Sequence, residues 1–137
     1  MNILHATTFL NGGAGKILVD LALLQAEAGH QVWVIANQSE FDGHSHYQEQ
    51  IERLKDTGVP FETYDSVFKR DSALNRKAAM DLRSRFSTLS RFDVVHAHAS
   101  VPAKICNLAF CHQHPKPVSI QTMQGWGLNK TRTMEED

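Results

Sequence analysis

The chain is poor in cysteine, in long apolar runs and in any excess of one charge, and each shortage excludes a class of protein. Only two cysteines occur, Cys106 and Cys111. Both fall in one expected helix, which points to neither a disulfide framework nor a CxxC site. A reducing cytoplasm suits such a chain. No apolar run approaches the roughly 18 residues that span a bilayer. The opening MNILHATTFL has no basic n-region and reads as no signal peptide. Lys and Arg number 14 against 15 Asp and Glu, a net charge of −1 that argues against a dedicated nucleic-acid binder. What is present is ordinary: 137 residues, 42% hydrophobic and 21% charged, the size of one soluble domain with a real core.

Strand and helix signals alternate along the chain. Residues 3–7 form a short apolar run that ends at Asn11-Gly12-Gly13, a strand followed by a turn. Over 14–28, Ile17, Leu18, Leu21, Leu24 and Ala28 recur at helical spacing. Gly29 then stands where a helix end favours a residue tolerant of positive φ. Residues 31–36 are apolar from Val32 onward, as in a strand covered on both faces. A helix over 46–56 stops at Gly58, and a third strand covers 59–64, with Pro60 suited to an edge. Leu74, Ala78, Leu82, Phe86 and Leu89 make one stripe of a helix over 71–90. A strand at 92–97, a short helix at 101–111 and a strand at 117–122 follow.

This pattern calls for a Rossmann-like three-layer α/β domain over residues 1–127, with helices on both faces of a five-stranded parallel sheet. The expected strand order is 3-2-1-4-5. Residues 128–137 read as a polar tail, a truncated linker. In such a sheet ligands bind at the carboxyl ends of the strands that flank the switch of direction, here strands 1 and 4. The loops there begin at Thr8 and His98, with the loop after strand 5 beside them.

Candidate residues cluster in those loops. Asn11-Gly12-Gly13-Ala14-Gly15-Lys16 opens a helix, where glycines let backbone N–H groups approach a phosphate and the helix dipole adds about half a positive charge. Lys16 adds a full one. Ile17 replaces the Ser/Thr of a P-loop, and Leu18 the third glycine of a dinucleotide fingerprint, so neither site is assigned. A tight turn with no ligand stays open as the alternative. His96 and His98 share one strand face. His44/His46 and His112/His114 repeat the HxH spacing, but no further ligand joins them in a recognisable pattern, and no metal is assigned. His96 reads as a core histidine bonded to backbone, and His98 as facing the crevice. Thr122 and Gln124 offer neutral hydrogen bonds that suit sugar hydroxyls, and Trp126 offers a flat apolar face or else packs in its loop.

Charge is uneven despite its balance. Residues 69–91 hold seven Lys/Arg against Asp71 and Asp81, a net of +5 that leaves −6 on the rest. A basic amphipathic helix suits an anionic membrane surface. The favoured alternative packs the apolar stripe on the sheet and leaves the basic face solvated. Asp65 ends the third strand, where receiver domains carry their phosphoacceptor, but the acidic pair such domains need is replaced by Ala6-Thr7-Thr8. No Ser-His-Asp or Cys-His set stands out, and no residue supplies a general acid, nucleophile or metal for group transfer.

Gly12-Gly13, Gly29-His30, Asp93-Val94-Val95-His96-Ala97-His98 and Thr122-Met123-Gln124-Gly125-Trp126 occur in that order and at familiar separations. Together they resemble the N-terminal domain of retaining glycosyltransferases of the GT-B architecture, specifically family 4. The resemblance covers nearly the whole chain and is weakest over about residues 40–90. It implies two Rossmann-like domains facing across a cleft. The C-terminal domain would hold the nucleotide-sugar and contribute paired glutamates, and the N-terminal domain a sugar or lipid-linked acceptor. It implies that Gly12 and Gly13, with Lys16 close by, approach the donor diphosphate. His98, Ser100, Thr122, Gln124 and Trp126 would line the acceptor pocket. Gln124 stands where the family usually has a histidine; it can donate a hydrogen bond but cannot carry a proton as charge. The nucleotide-sugar is a substrate, and no cofactor is expected. This half alone is expected to be inactive, and its open cleft face to favour self-association. Some family members dock on membranes through basic N-domain helices, so a peripheral place at the inner membrane face is also implied. The competing functions are a non-catalytic module for a phosphorylated or anionic small molecule, and a peripheral membrane or protein-interaction domain working through residues 71–90.

Overall fold

The computed structural model describes residues 1–40, 44–65, 69–88 and 91–122. Five strands and four helices alternate: β1 (Asn2–Ala6), α1 (Gly12–Glu27), β2 (Gln31–Asn37), α2 (Gln48–Thr57), β3 (Phe61–Tyr64), α3 (Ser72–Arg85), β4 (Val94–Ala97), α4 (Ser100–Phe110) and β5 (Val118–Gln121). All four strand pairings are parallel and the order is β3-β2-β1-β4-β5, as the alternation of elements requires. The boundary between the domain and a tail at 127/128 lies outside the described residues.

Local chemistry explains the element ends. Gly58, with φ of 79°, closes α2 in the left-handed conformation, and its N–H donates to Leu54 and Lys55 carbonyls. Asp71 caps α3 by accepting from the Leu74 N–H at 3.0 Å. That helix ends at Arg85, short of the expected residue 90, and Phe86 turns inward as a buried side chain instead. Leu89 lies outside the described residues. Pro60 sits just before β3, an edge strand, where its missing N–H costs nothing and its carbonyl accepts from Val34 at 2.9 Å.

The sheet separates two cores. On one face, Leu4, Ala6, Ile35 and Val95 pack under α3 and α4 with Ala78, Leu82, Phe86, Ile105 and Phe110. Phe92 stands at the centre of this layer, edge-on to Trp33, Phe86 and Phe110. On the other face, Ile3, Val32 and Val34 pack under α1 and α2 with Leu18, Val19, Ala22 and Leu54. Each such fully buried aliphatic side chain contributes roughly 1.5–3 kcal/mol. The α3 stripe is thus spent on the sheet, as the favoured reading of that helix expected.

The approach of α1 to the loop after β1 depends on Gly15. A Cβ there would lie 2.7 Å from the Leu10 carbonyl carbon, a distance only backbone movement could relieve. Gly15→Ala is therefore expected to cost about 1–3 kcal/mol by overpacking. Chemical denaturation checks this, with Gly13→Ala as the control, since a Cβ at Gly13 meets nothing within 4 Å.

Candidate functional site

Three chain ends meet at the carboxyl edge of the sheet. The His98 N–H donates to the Ala6 carbonyl at 2.8 Å, and the Thr122 N–H to the Ala97 carbonyl at 2.9 Å. The exits of β1, β4 and β5 are thereby laced into one rim, the crevice position of an open α/β sheet. Residues 123–137 lie outside the described residues, and with them Gln124 and Trp126.

The β1–α1 turn brings a helix N-terminus to this rim. Helix α1 starts at Gly12 rather than residue 14, and Gly12 has φ of 59°, which a side chain would strain. Gly12 and Gly13 are exposed, and no acidic residue occupies the first turn of α1 to neutralise its dipole. The first helical bond of the turn runs from the Gly15 N–H to the Asn11 carbonyl at 2.9 Å, so the amides before it point out of the helix end. Lys16 is exposed and paired with Asp20 at 2.8 Å, one turn along α1. Asp20 also accepts from Arg53 of α2 at 2.6 Å.

A strap of residues 45–47 fixes this turn. The Leu10 N–H donates to His46 Nδ1 at 3.0 Å, and His46 Nε2–H donates to the Asn37 carbonyl at 2.8 Å. One tautomer satisfies both bonds. Asn11 Nδ2 donates to the Ser45 carbonyl, and the Tyr47 N–H to the Leu10 carbonyl. His46, expected at the start of a helix over 46–56, instead precedes α2, is half-buried and joins the loop after β1 to the end of β2.

The histidines of β4 reverse the roles their positions suggested. His98 is buried and His96 half-buried. The reason is register. His5 of β1 lies opposite His96, and side chains two apart share a face, so His5, His96 and His98 form one layer on the α1 side of the sheet. His96 and His98 stack with centroids 4.1 Å apart, and His5 tilts against both at 5.2 and 5.3 Å. His96 bonds through Nε2 to the Thr122 hydroxyl, not to backbone. His5 Nε2–H donates to Gln25 Oε1 of α1 at 2.7 Å, which leaves His5 Nδ1 to accept from His98 Nε2–H at 3.0 Å. His98 Nδ1 is then buried with no partner. Burial is the main cause that pushes the His5 pKa down to about 4 and that of His98 to about 3, and it lowers His96 as well. His5 escaped the sequence reading because nothing in a lone strand histidine reveals its cross-strand neighbour.

Most basic residues of the 69–91 segment are engaged within the domain. Arg83 donates to the Ala109 and Leu108 carbonyls at the C-terminus of α4. Arg85 grips Glu62 of β3 through two bonds of 3.0 and 2.6 Å and lies over the Phe86 ring, which explains a charge on the apolar side of α3. Lys77 pairs with Asp81 at 2.8 Å. Among the described residues no helix is long and apolar enough to cross a membrane.

A parallel α/β sheet with a glycine turn at its switch point defines the Rossmann-like class of domain, whose ligands bind in the crevice at that point. The family model for Glycosyltransferase Family 4 matches residues 11–132, and the chain belongs to that family. Among solved structures it is similar to MurG of Acinetobacter baumannii, at 17% identity and a TM-score of 0.61, over 98% of this chain and 38% of that one. It is also similar to a triple mutant of the deacetylase Orf2 of the teicoplanin biosynthetic pathway, at 14% identity and a TM-score of 0.56, over 83% of this chain and 61% of that one. Both likenesses concern the fold. The chain spans about two-fifths of MurG. Among curated protein sequences none matches.

Buried neutral imidazoles make stability depend on pH. The folded pKa values of His5 and His98 lie below the unfolded value of 6.5, so the unfolded chain binds more protons between them. Stability in chelator-containing buffer is expected to be full above about pH 6.5 and to fall toward pH 4, by at most about 1.4 kcal/mol per pH unit for each imidazole. Urea midpoints at several pH values check the slope, and His98→Gln should flatten it.

Proposed function

We propose that this chain is the N-terminal, acceptor-side domain of a GT-B glycosyltransferase that moves a sugar from a nucleotide-diphosphate-sugar to a glycan or lipid-linked acceptor with retention. Family membership supports the glycosyltransferase, and the exposed glycine turn at the start of α1 carries the assignment of the donor side. A diphosphate leaving group gains negative charge as its bond to the sugar breaks. Outward amides at a helix N-terminus, set in place by Gly15 and the His46 strap, oppose that charge without reorganising. Gly12 and Gly13 leave room for backbone to reach the phosphates. Lys16 is close enough in sequence to exchange Asp20 for a phosphate.

The acceptor would lie along the exits of β4 and β5. Ser100 is exposed at the first turn of α4, and Thr122 and His96 form the polar wall between them. Buried His98 acts from behind His96 rather than by open contact. Gln124 and Trp126 would complete the pocket. Gln124 there offers hydrogen bonds to sugar hydroxyls in place of a titratable group. The nucleotide and the paired glutamates would belong to a C-terminal domain, so this half alone has no turnover. A cytoplasmic site of action, peripheral to the membrane, fits a lipid-linked acceptor.

Gly13→Trp tests the donor side. The position is exposed and a Cβ meets nothing, so folding should be intact while the indole covers the amides. In the protein joined to its donor domain, kcat/KM for the nucleotide-sugar is expected to fall more than about tenfold, at least about 1.4 kcal/mol of transition-state stabilisation. Unchanged kcat/KM in steady-state assays refutes the placement.

A further inference from the structure

The layer of three imidazoles does something that sugar transfer does not ask of it. We propose that His5, His96 and His98 bind one divalent transition-metal ion of the zinc class. One nitrogen from each ring lies within 4.8 Å of the others. The rings come from adjacent strands whose pairing is set by the sheet, with His5 opposite His96. A zinc ion with nitrogens at about 2.0–2.1 Å in tetrahedral array holds them about 3.3 Å apart. His5 Nδ1 and His98 Nε2, at 3.0 Å, are already near that spacing, and an ion can replace the proton they share. The widest pair must close by about 1.5 Å, within reach of ring rotation on fixed strands.

The surroundings are those of a ligand set. Ligating histidines usually donate their second ring N–H to an acceptor that fixes tautomer and orientation. Gln25 Oε1 does this for His5 Nε2, and the Thr122 hydroxyl bonds His96 Nε2. His98 Nδ1 is buried and has no hydrogen-bond partner, so His98 is the one ring of the three whose second nitrogen no acceptor holds. Desolvation keeps His5 and His98 neutral, the form that ligates, well below neutral pH, and lowers His96 as well. An all-imidazole set selects zinc, cobalt, nickel or copper over magnesium or calcium. Among the described residues no carboxylate joins the set, so the ion keeps its charge. Half-buried His96 marks the side on which water or an anion takes the fourth position.

The test uses Co²⁺ as the probe on the chelator-stripped chain near neutral pH. The visible d–d absorption of tetrahedral Co²⁺ is expected to saturate at one equivalent and to be bleached by Zn²⁺. His5→Gln, His96→Gln and His98→Gln should each weaken binding about tenfold or more, and Gln25→Ala by less. The paired change His112→Gln with His114→Gln, on an exposed HxH, should leave it intact. Absence of the one-equivalent absorption, binding indifferent to His5→Gln, or binding lost with His112 and His114 overturns the proposal. Should the ring variants fail to fold, imidazole ¹H–¹⁵N spectra of the unaltered chain decide. Zn²⁺ must then perturb His5, His96 and His98 out of eight histidines, and perturbation of the others instead refutes the site. Neither readout depends on glycosyl transfer.

Discussion

The parallel pairing of β1 with β4 is the constraint on which the rest of the molecule depends. It makes β1 the central strand and sets Leu4 against Val95 in one core and Ile3 against Val94 at the other. It also puts the crossover of chain direction beside the glycine turn. Because side chains alternate, the same register that buries these aliphatics places His5 beside His96 and His98. A slip of one residue would turn the aliphatic set toward the opposite core and part His5 from His96 and His98. Core packing and site geometry are therefore one specification.

The glycine turn at the start of α1 is built by contacts on its far side. Gly15 lets α1 press against the Leu10 backbone, and His46 ties that backbone to the end of β2. Among the described residues, no recorded hydrogen bond uses the amides of Gly12 and Gly13, while the Asn11 side chain and the Leu10 backbone are bonded to the strap. An anion can then be met by donors already aimed, which is where preorganisation contributes most to charge stabilisation.

The basic segment illustrates how composition misleads. A net of +5 over residues 69–91 suggests a surface for an anionic partner. In the fold, Arg83 caps α4, Arg85 clamps β3 to α3, and Lys77 pairs along its own helix. Arg83 and Arg85 tie α4 and β3 to α3, and the Arg85 guanidinium lies over the Phe86 ring. A membrane role for this face would have to draw on the charges left over.

The strand and helix alternation, the five-stranded parallel order and the glycine turn were legible from residue letters. Each is written in local periodicity and in the handedness of crossovers, which one segment or its immediate neighbours display. The motifs that match Glycosyltransferase Family 4 are local for the same reason. Only tertiary structure decided that His98 is buried while His96 reaches Thr122, that His5 completes their layer, that His46 straps the turn, and that α3 ends at Arg85. Those facts depend on register between strands 90 residues apart and on which charge finds which carbonyl. Sequence separation hides such pairings, and only the packed sheet resolves them.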